Sequence, residues 1–215
     1  MKKTAIIIFL IFLGTGVFAQ NGIIQELSGT VELKTKDASS YVSAKAGDEV
    51  SLNTIISTGF KSNALVAVGS ALITVRPLTR LTLTEIQAAS GTETINVNLQ
   101  AGRVRVDVNP PAGTRAAISV RSPIATASVR GTSFEFNTRN IFVNHGKVSF
   151  KGNKGSPIMV GAGGSSRVED NGKVADPIRI SIAELTPPTP VGAELGGGPG
   201  TEASMSTFTI NIDWD

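Results

Sequence analysis

Between Ile23 and Ile182 one pattern recurs: apolar and polar residues alternate in short runs, and the runs are cut by Gly, Asn, Ser or Pro. A period of two marks a half-buried β-strand, because successive side chains on a strand point to opposite faces. The clearest runs are Val31/Leu33, Leu81/Leu83, Ile95/Val97/Leu99, Val104/Val106/Val108, Phe134/Phe136 and Val148/Phe150. Each predicts one face turned into a core, with the Thr, Asn, Lys and Arg between them meeting water. The chain is therefore expected to be all-β, with many short strands in a solenoid-like or sandwich architecture. Helix signals are few: Thr84 to Ser90 fits a turn or two, and Asp176-Pro177 fits the cap of a short helix ending near Leu185. That second stretch also alternates like a strand, through Ile178, Ile180 and Ile182. Gly29-Thr-Val31, Gly102-Arg-Val104 and Gly146-Lys-Val148 look like related strand starts, but their unequal spacing does not support a repeat of fixed length.

The two ends of the chain read differently from this middle. Lys2 and Lys3 precede an uncharged run from Ala5 to Val17 and a small-residue exit at Val17-Phe18-Ala19. This is the pattern of a secretory signal peptide over residues 1–19, cleaved after Ala19 to leave Gln20. The run falls short of the ~20 apolar residues a spanning helix needs, and Gly14 and Gly16 interrupt it. The mature protein is expected in the periplasm or the medium, with no transmembrane segment after cleavage. Residues 20–183 form the expected β domain. Residues 184–205, with Pro187, Pro188, Pro190 and the Gly196-Gly-Gly-Pro-Gly200 string, read as a flexible linker. In residues 206–215, Phe208, Ile210, Ile212 and Trp214 alternate with Thr209, Asn211, Asp213 and Asp215, which predicts a C-terminal strand. Its apolar side chains must be covered, either by fold-back onto the chain's own sheet, which the tether favours, or by addition to a partner's sheet. Those four residues are candidate partner contacts.

Composition removes several kinds of function. With no cysteine there is no thiolate metal site, no disulfide framework and no lipid anchor on a cysteine beside the cleavage site. The formal charge of +3 falls to +1 once Lys2 and Lys3 leave, so net charge gives nucleic-acid binding no support. Locally the balance differs: residues 103–139 hold Arg103, Arg105, Arg115, Arg121, Arg130 and Arg139 against Asp107 and Glu135. Arg103 and Arg105 share one face of a strand, where they either solubilise the sheet or dock an anionic glycan, lipid headgroup or acidic protein. Arg130 reads either as an exposed partner contact or as a bridge between neighbouring strands. Aromatic residues do not interleave with these cations, which argues against single-stranded nucleic acid.

Catalysis finds little to stand on. The one histidine, His145, sits before a turn glycine, and a Ser-His-Asp or metal-hydrolase site would depend on it alone. Acidic residues such as Glu184 and Glu194 lie in or beside the linker. Gly161-Ala-Gly-Gly164 lacks the lysine and the helix that a phosphate loop requires. No catalytic, cofactor-binding or metal-binding residues are assigned.

The order of short motifs carries a family resemblance. Gly47-Asp48, Ile55-Ile-Ser-Thr-Gly59, Ser62-Asn-Ala64, Gly69-Ser70 and Arg76-Pro77 come first. Leu99-Gln-Ala-Gly102-Arg-Val104, Arg121-Ser-Pro123-Ile-Ala125 and Val129-Arg-Gly-Thr132-Ser-Phe134 follow, then His145-Gly146-Lys-Val148 and Val160-Gly161-Ala-Gly163. As an ordered set they resemble the FecR domain. Physically their residues do structural work: Gly131 and Gly146 suit turns of positive φ, Thr132 can bond backbone, and Phe134 faces the core. The family's founding member passes an outer-membrane transport signal through a membrane helix to a cytoplasmic sigma factor. The resemblance implies its periplasmic sensing or docking module; the cytoplasmic anti-sigma segment, the spanning helix and the receptor-contacting C-terminal domain are not expected here. The leading reading is an exported, non-catalytic docking module whose partner is an unknown envelope protein or an anionic glycan. The alternative is a structural subunit of an envelope assembly, and a hydrolase of envelope polymers comes last.

Overall fold

The computed structural model describes residues 21–89 and 91–177. The expected signal peptide, linker and C-terminal strand, with Phe208, Ile210, Ile212 and Trp214, lie outside the described residues, as does the helix expected beyond Pro177.

Among the described residues there are 17 strands. The first eight are β1 (Gly22–Ser28), β2 (Val31–Lys34), β3 (Val42–Ser43), β4 (Glu49–Val50), β5 (Ile55–Thr58), β6 (Asn63–Val68), β7 (Ala71–Val75) and β8 (Arg80–Ala89). Then come β9 (Thr92–Ala101), β10 (Arg103–Val108), β11 (Arg115–Arg121), β12 (Ala125–Val129) and β13 (Ser133–Asn137). The series closes with β14 (Asn140–His145), β15 (Lys147–Gly152), β16 (Ile158–Gly161) and β17 (Ser165–Arg167).

They form two sheets, ordered β4-β1-β6-β7-β10-β13-β14-β17 and β3-β2-β5-β8-β9-β11-β12-β15-β16. Pairing is antiparallel except between β9 and β11, which run parallel. From β1 in the first sheet and β2 in the second, spatial order follows chain order, so the chain advances along both layers while crossing between them. Of the two architectures expected, the sandwich is the one formed, with a solenoid's steady progress along it.

Alternation builds the interior. Every apolar residue in the six runs above is buried, and residues of both sheets join in one core cluster. Phe136 of the first sheet meets Phe150 of the second edge to face, ring centroids 5.9 Å apart. Such a geometry adds a specific attraction to the area it buries.

The helix expected over Thr84 to Ser90 is not formed: residues 84–89 continue β8, paired with β9. A bulge between Leu83 and Glu85 explains the misleading pattern. An extra residue in one strand shifts its phase, so Leu83 and Ile86 are both buried although three residues apart, the spacing of a helical turn.

The three Gly-x-Val strings share one local structure. Gly29, Gly102 and Gly146 all have left-handed φ, of 73°, 88° and 80°. A Cβ on each would collide with a buried hydroxyl: Ser62, Thr79 and Thr132 respectively. That hydroxyl grips the residue after the glycine. Ser62 Oγ accepts from Thr30 N at 2.8 Å, Thr79 Oγ1 accepts from Arg103 N at 3.0 Å, and Thr132 Oγ1 donates to Lys147 O at 3.1 Å. Glycine is needed here for two reasons, the backbone angle and the space.

Candidate functional site

Because most strands come in antiparallel succession, alternate connections gather at the same end of the sandwich. Besides the β3–β4 connection, which carries Lys45 and Asp48, one end receives the seven turns Ser28–Val31, Gly59–Ser62, Arg76–Thr79, Ala101–Arg103, Arg121–Ala125, Asn137–Asn140 and Gly152–Ile158. From the second onward each carries one cation: Lys61, Arg76, Arg103, Arg121, Arg139 and Lys154 in turn. None of the seven turns contains an acidic residue. Arg167, at the end of β17, joins the same row opposite Asn140.

What pins these turns is also uncharged. Thr58 Oγ1 donates to Arg76 O at 2.6 Å and accepts from Thr79 N at 3.0 Å. Ser122 Oγ donates to Thr138 O at 2.7 Å, and Asn137 Oδ1 accepts from Arg139 N at 2.8 Å and Asn140 N at 2.6 Å. Carboxylates could serve in such turns, but hydroxyls and an amide hold them, so the pins offset none of the positive charge. Among the described residues two salt bridges reach the row: Glu135 pairs with Arg76 at 3.2 Å, and Asp170 pairs with Arg139 at 2.7 Å. The second contact, with Arg139's charge, holds the exposed Asp170 carboxyl below its ordinary range. Between the cations lie two open hollows, of about 330 and 840 Å³, which share Arg103, Glu135, Asn137 and Asn140.

The sequence-predicted arginines are thereby separated. Arg103 stands in this basic row and lines both hollows. Arg105 shares its strand and face, as expected, but is engaged by Asp107 through Nε–Oδ2 and Nη2–Oδ1 contacts of 2.9 and 3.2 Å. Arg130 lies at the opposite end, exposed beside Gly131, Thr132 and Lys147. Lys61, Arg76 and Lys154 were missed, each being a lone cation in an ordinary turn; the signal was one cation at every second connection, which shows only once hairpins are counted.

Asp107, Ser133 and His145 meet on the outer face of the first sheet, Ser133 pairing with Asp107 on one side and with His145 on the other. Burial raises the Asp107 carboxyl, but hydrogen bonds from Arg105 and Ser133, with the charges of Arg105 and His145, outweigh it and hold the group below the usual carboxylate range. The hydrogen bond to Asp107, with its charge, raises the Arg105 guanidinium in turn. Ser133 Oγ donates to Asp107. A hydrolytic triad instead needs the serine bonded to imidazole, with the carboxylate behind it. Among the described residues no group of His, Asp and Glu is placed to hold a metal ion, and no helix is long and apolar enough to cross a membrane.

Fold and surface together define a two-sheet all-β domain that displays its chemistry on turns. Residues 54–149 match the family model of the FecR protein, in line with the resemblance that the ordered motifs carry. The chain is also similar to two crystal structures of a proposed anti-sigma factor from Parabacteroides distasonis, at 1.65 and 2.50 Å resolution. Identities are 17% and 18% and TM-scores 0.46 and 0.47, over 60% of this chain and 64% and 63% of theirs. The chain thus spans less than two thirds of the solved chains it matches. No curated protein matches the sequence.

Proposed function

We propose that this protein is an exported, non-catalytic docking module of the bacterial cell envelope, processed near Ala19, whose FecR domain engages an anionic partner through its basic end. The observation that carries this reading is the row of cations, one per turn across six successive turns, pinned by neutral groups. Like charges on fixed turns create a positive potential that a flexible or scattered set would not, and a positive surface raises the encounter rate with an anionic partner. The alternative of assembly through sheet edges draws less support. The outermost strands β3, β4, β16 and β17 are only two, two, four and three residues long, and short edges are poor templates for a further strand.

The test compares the two ends. Dextran sulfate serves as the anionic probe and neutral dextran as its control. Arg103→Glu with Lys154→Glu is expected to weaken dextran sulfate binding severalfold, whereas Arg115→Glu with Arg130→Glu, reversing cations at the other end, is expected to change it little. Equal losses from both pairs would refute a specialised end.

A further inference from the structure

We infer that the basic end docks onto an anionic lipid bilayer, with Phe60 and Leu78 inserted at the acyl boundary and the neighbouring cations on the phosphate headgroups. The inference rests on the reading of this end as an anion-docking surface and names the anion's source.

The turns Gly59–Ser62 and Arg76–Thr79 stand side by side, joined by the Leu78 N–H donating to Gly59 O at 3.2 Å. Each lifts a large apolar side chain into water: Phe60 is 74% exposed and Leu78 61%. Leu78 does so at a cost, since its φ is 55°, and neighbouring Lys61 has φ 53°. Left-handed backbone is unfavourable for a residue with a Cβ, and glycine would adopt it freely. An exposed leucine in that conformation contributes little to the core and strains its own turn. Its presence is accounted for by what its side chain meets outside the protein.

The surroundings indicate what that is. The Lys61 ammonium lies 5.6 Å from the centre of the Phe60 ring, and the Arg76 N–H donates to Arg103 O at 3.1 Å, which sets the next cation-bearing turn beside the Leu78 turn. Apolar tips flanked by cations match the layering of an anionic membrane interface, where phosphates lie just outside the acyl boundary. A soluble anionic glycan would use the cations but offer nothing to the tips. A folded protein partner would cover them with a packed apolar patch, and here two isolated knobs stand among charged turns.

The experiment measures co-sedimentation of the processed chain, from Gln20 to Asp215, with vesicles of phosphatidylcholine and phosphatidylglycerol in equal parts, against pure phosphatidylcholine. Binding is expected to the mixed vesicles alone and to weaken as salt is added. Phe60→Ser and Leu78→Gly are each expected to lower vesicle affinity roughly tenfold, the scale of one large side chain returned to water, while dextran sulfate binding is retained. Leu78→Gly also relieves the left-handed strain, so it should melt no lower than the parent chain, and its loss of binding could not be blamed on misfolding. Tip variants that keep full vesicle affinity, or a parent chain that ignores mixed vesicles or binds both kinds equally, would overturn the inference. Dextran sulfate binding insensitive to Arg103→Glu with Lys154→Glu would instead overturn the reading beneath it.

Discussion

The two ends of the sandwich close the same strands yet manage charge differently. At the basic end, turns are held by Ser62, Thr79, Ser122 and the Asn137 amide, and the cations stay largely unmatched. At the other end a carboxylate joins the Thr132 hydroxyl in this work: Glu93 Oε2 accepts from Ser70 N at 2.9 Å, fastening the turn between β6 and β7. Nearby on β10, Asp107 holds Arg105. The contrast shows that a charged surface is set as much by the polar groups chosen to brace it as by the cations themselves.

The largest expected effect tests whether the basic end is the more tightly braced. At Gly102 an added Cβ would strike the Thr79 backbone and hydroxyl and the Leu78 carbonyl, at φ 88°. At Gly113, at the opposite end with φ 82°, it would meet nothing within 4 Å. Gly102→Ala is therefore expected to cost about 3 kcal/mol or more, backbone strain plus overpacking, and Gly113→Ala about 1 kcal/mol from the backbone alone. Denaturant melts showing equal losses would remove the distinction.

A smaller effect probes the carboxylate at the opposite end. Asp107 ionises more readily in the folded state than in the unfolded one, so it stabilises the fold at neutral pH and withdraws that contribution as pH falls through its lowered folded value. The parent chain should lose stability below about pH 4, where an unperturbed aspartate takes up its proton. Asp107→Asn should be less stable than the parent at pH 7, with the gap closing on acidification. A gap that does not change with pH would mean Asp107 contributes through packing instead.

The smallest effect is the most specific. Asn137→Asp keeps an acceptor for the Arg139 and Asn140 N–H groups, so stability should change by no more than ~0.5 kcal/mol. It also places a negative charge inside the cation row. Dextran sulfate binding should weaken with the melting curve in place; binding unchanged at low salt would show that bracing chemistry does not set the field.

Much of this was legible in the sequence, because burial on a strand has a strict period. The runs at Val104/Val106/Val108 and Phe134/Phe136 named core residues directly. The Gly-x-Val strings were recognisable as related, though not the hydroxyls that grip them, which lie 15 to 32 residues away in the chain from the residue they hold. Where the sequence misled, at Thr84 to Ser90, a bulge imitated a helical spacing while pairing with β9 overrode local preference. The arginine excess over residues 103–139 was visible, but its division between two ends was not. Neighbouring positions in the chain leave a hairpin in opposite directions, so only the pairing shows that Arg103 and Arg139 belong together and Arg130 does not.

The strand order has a consequence for how the domain can be assembled. In both sheets each new strand attaches to an edge that is still open, and none must be inserted between two already paired. A chain delivered N-terminus first can therefore lay down its layers as it arrives, each hairpin waiting only for residues that have already come through. The structure can be completed in the direction in which it is synthesised, without first being held unfolded to its last residue.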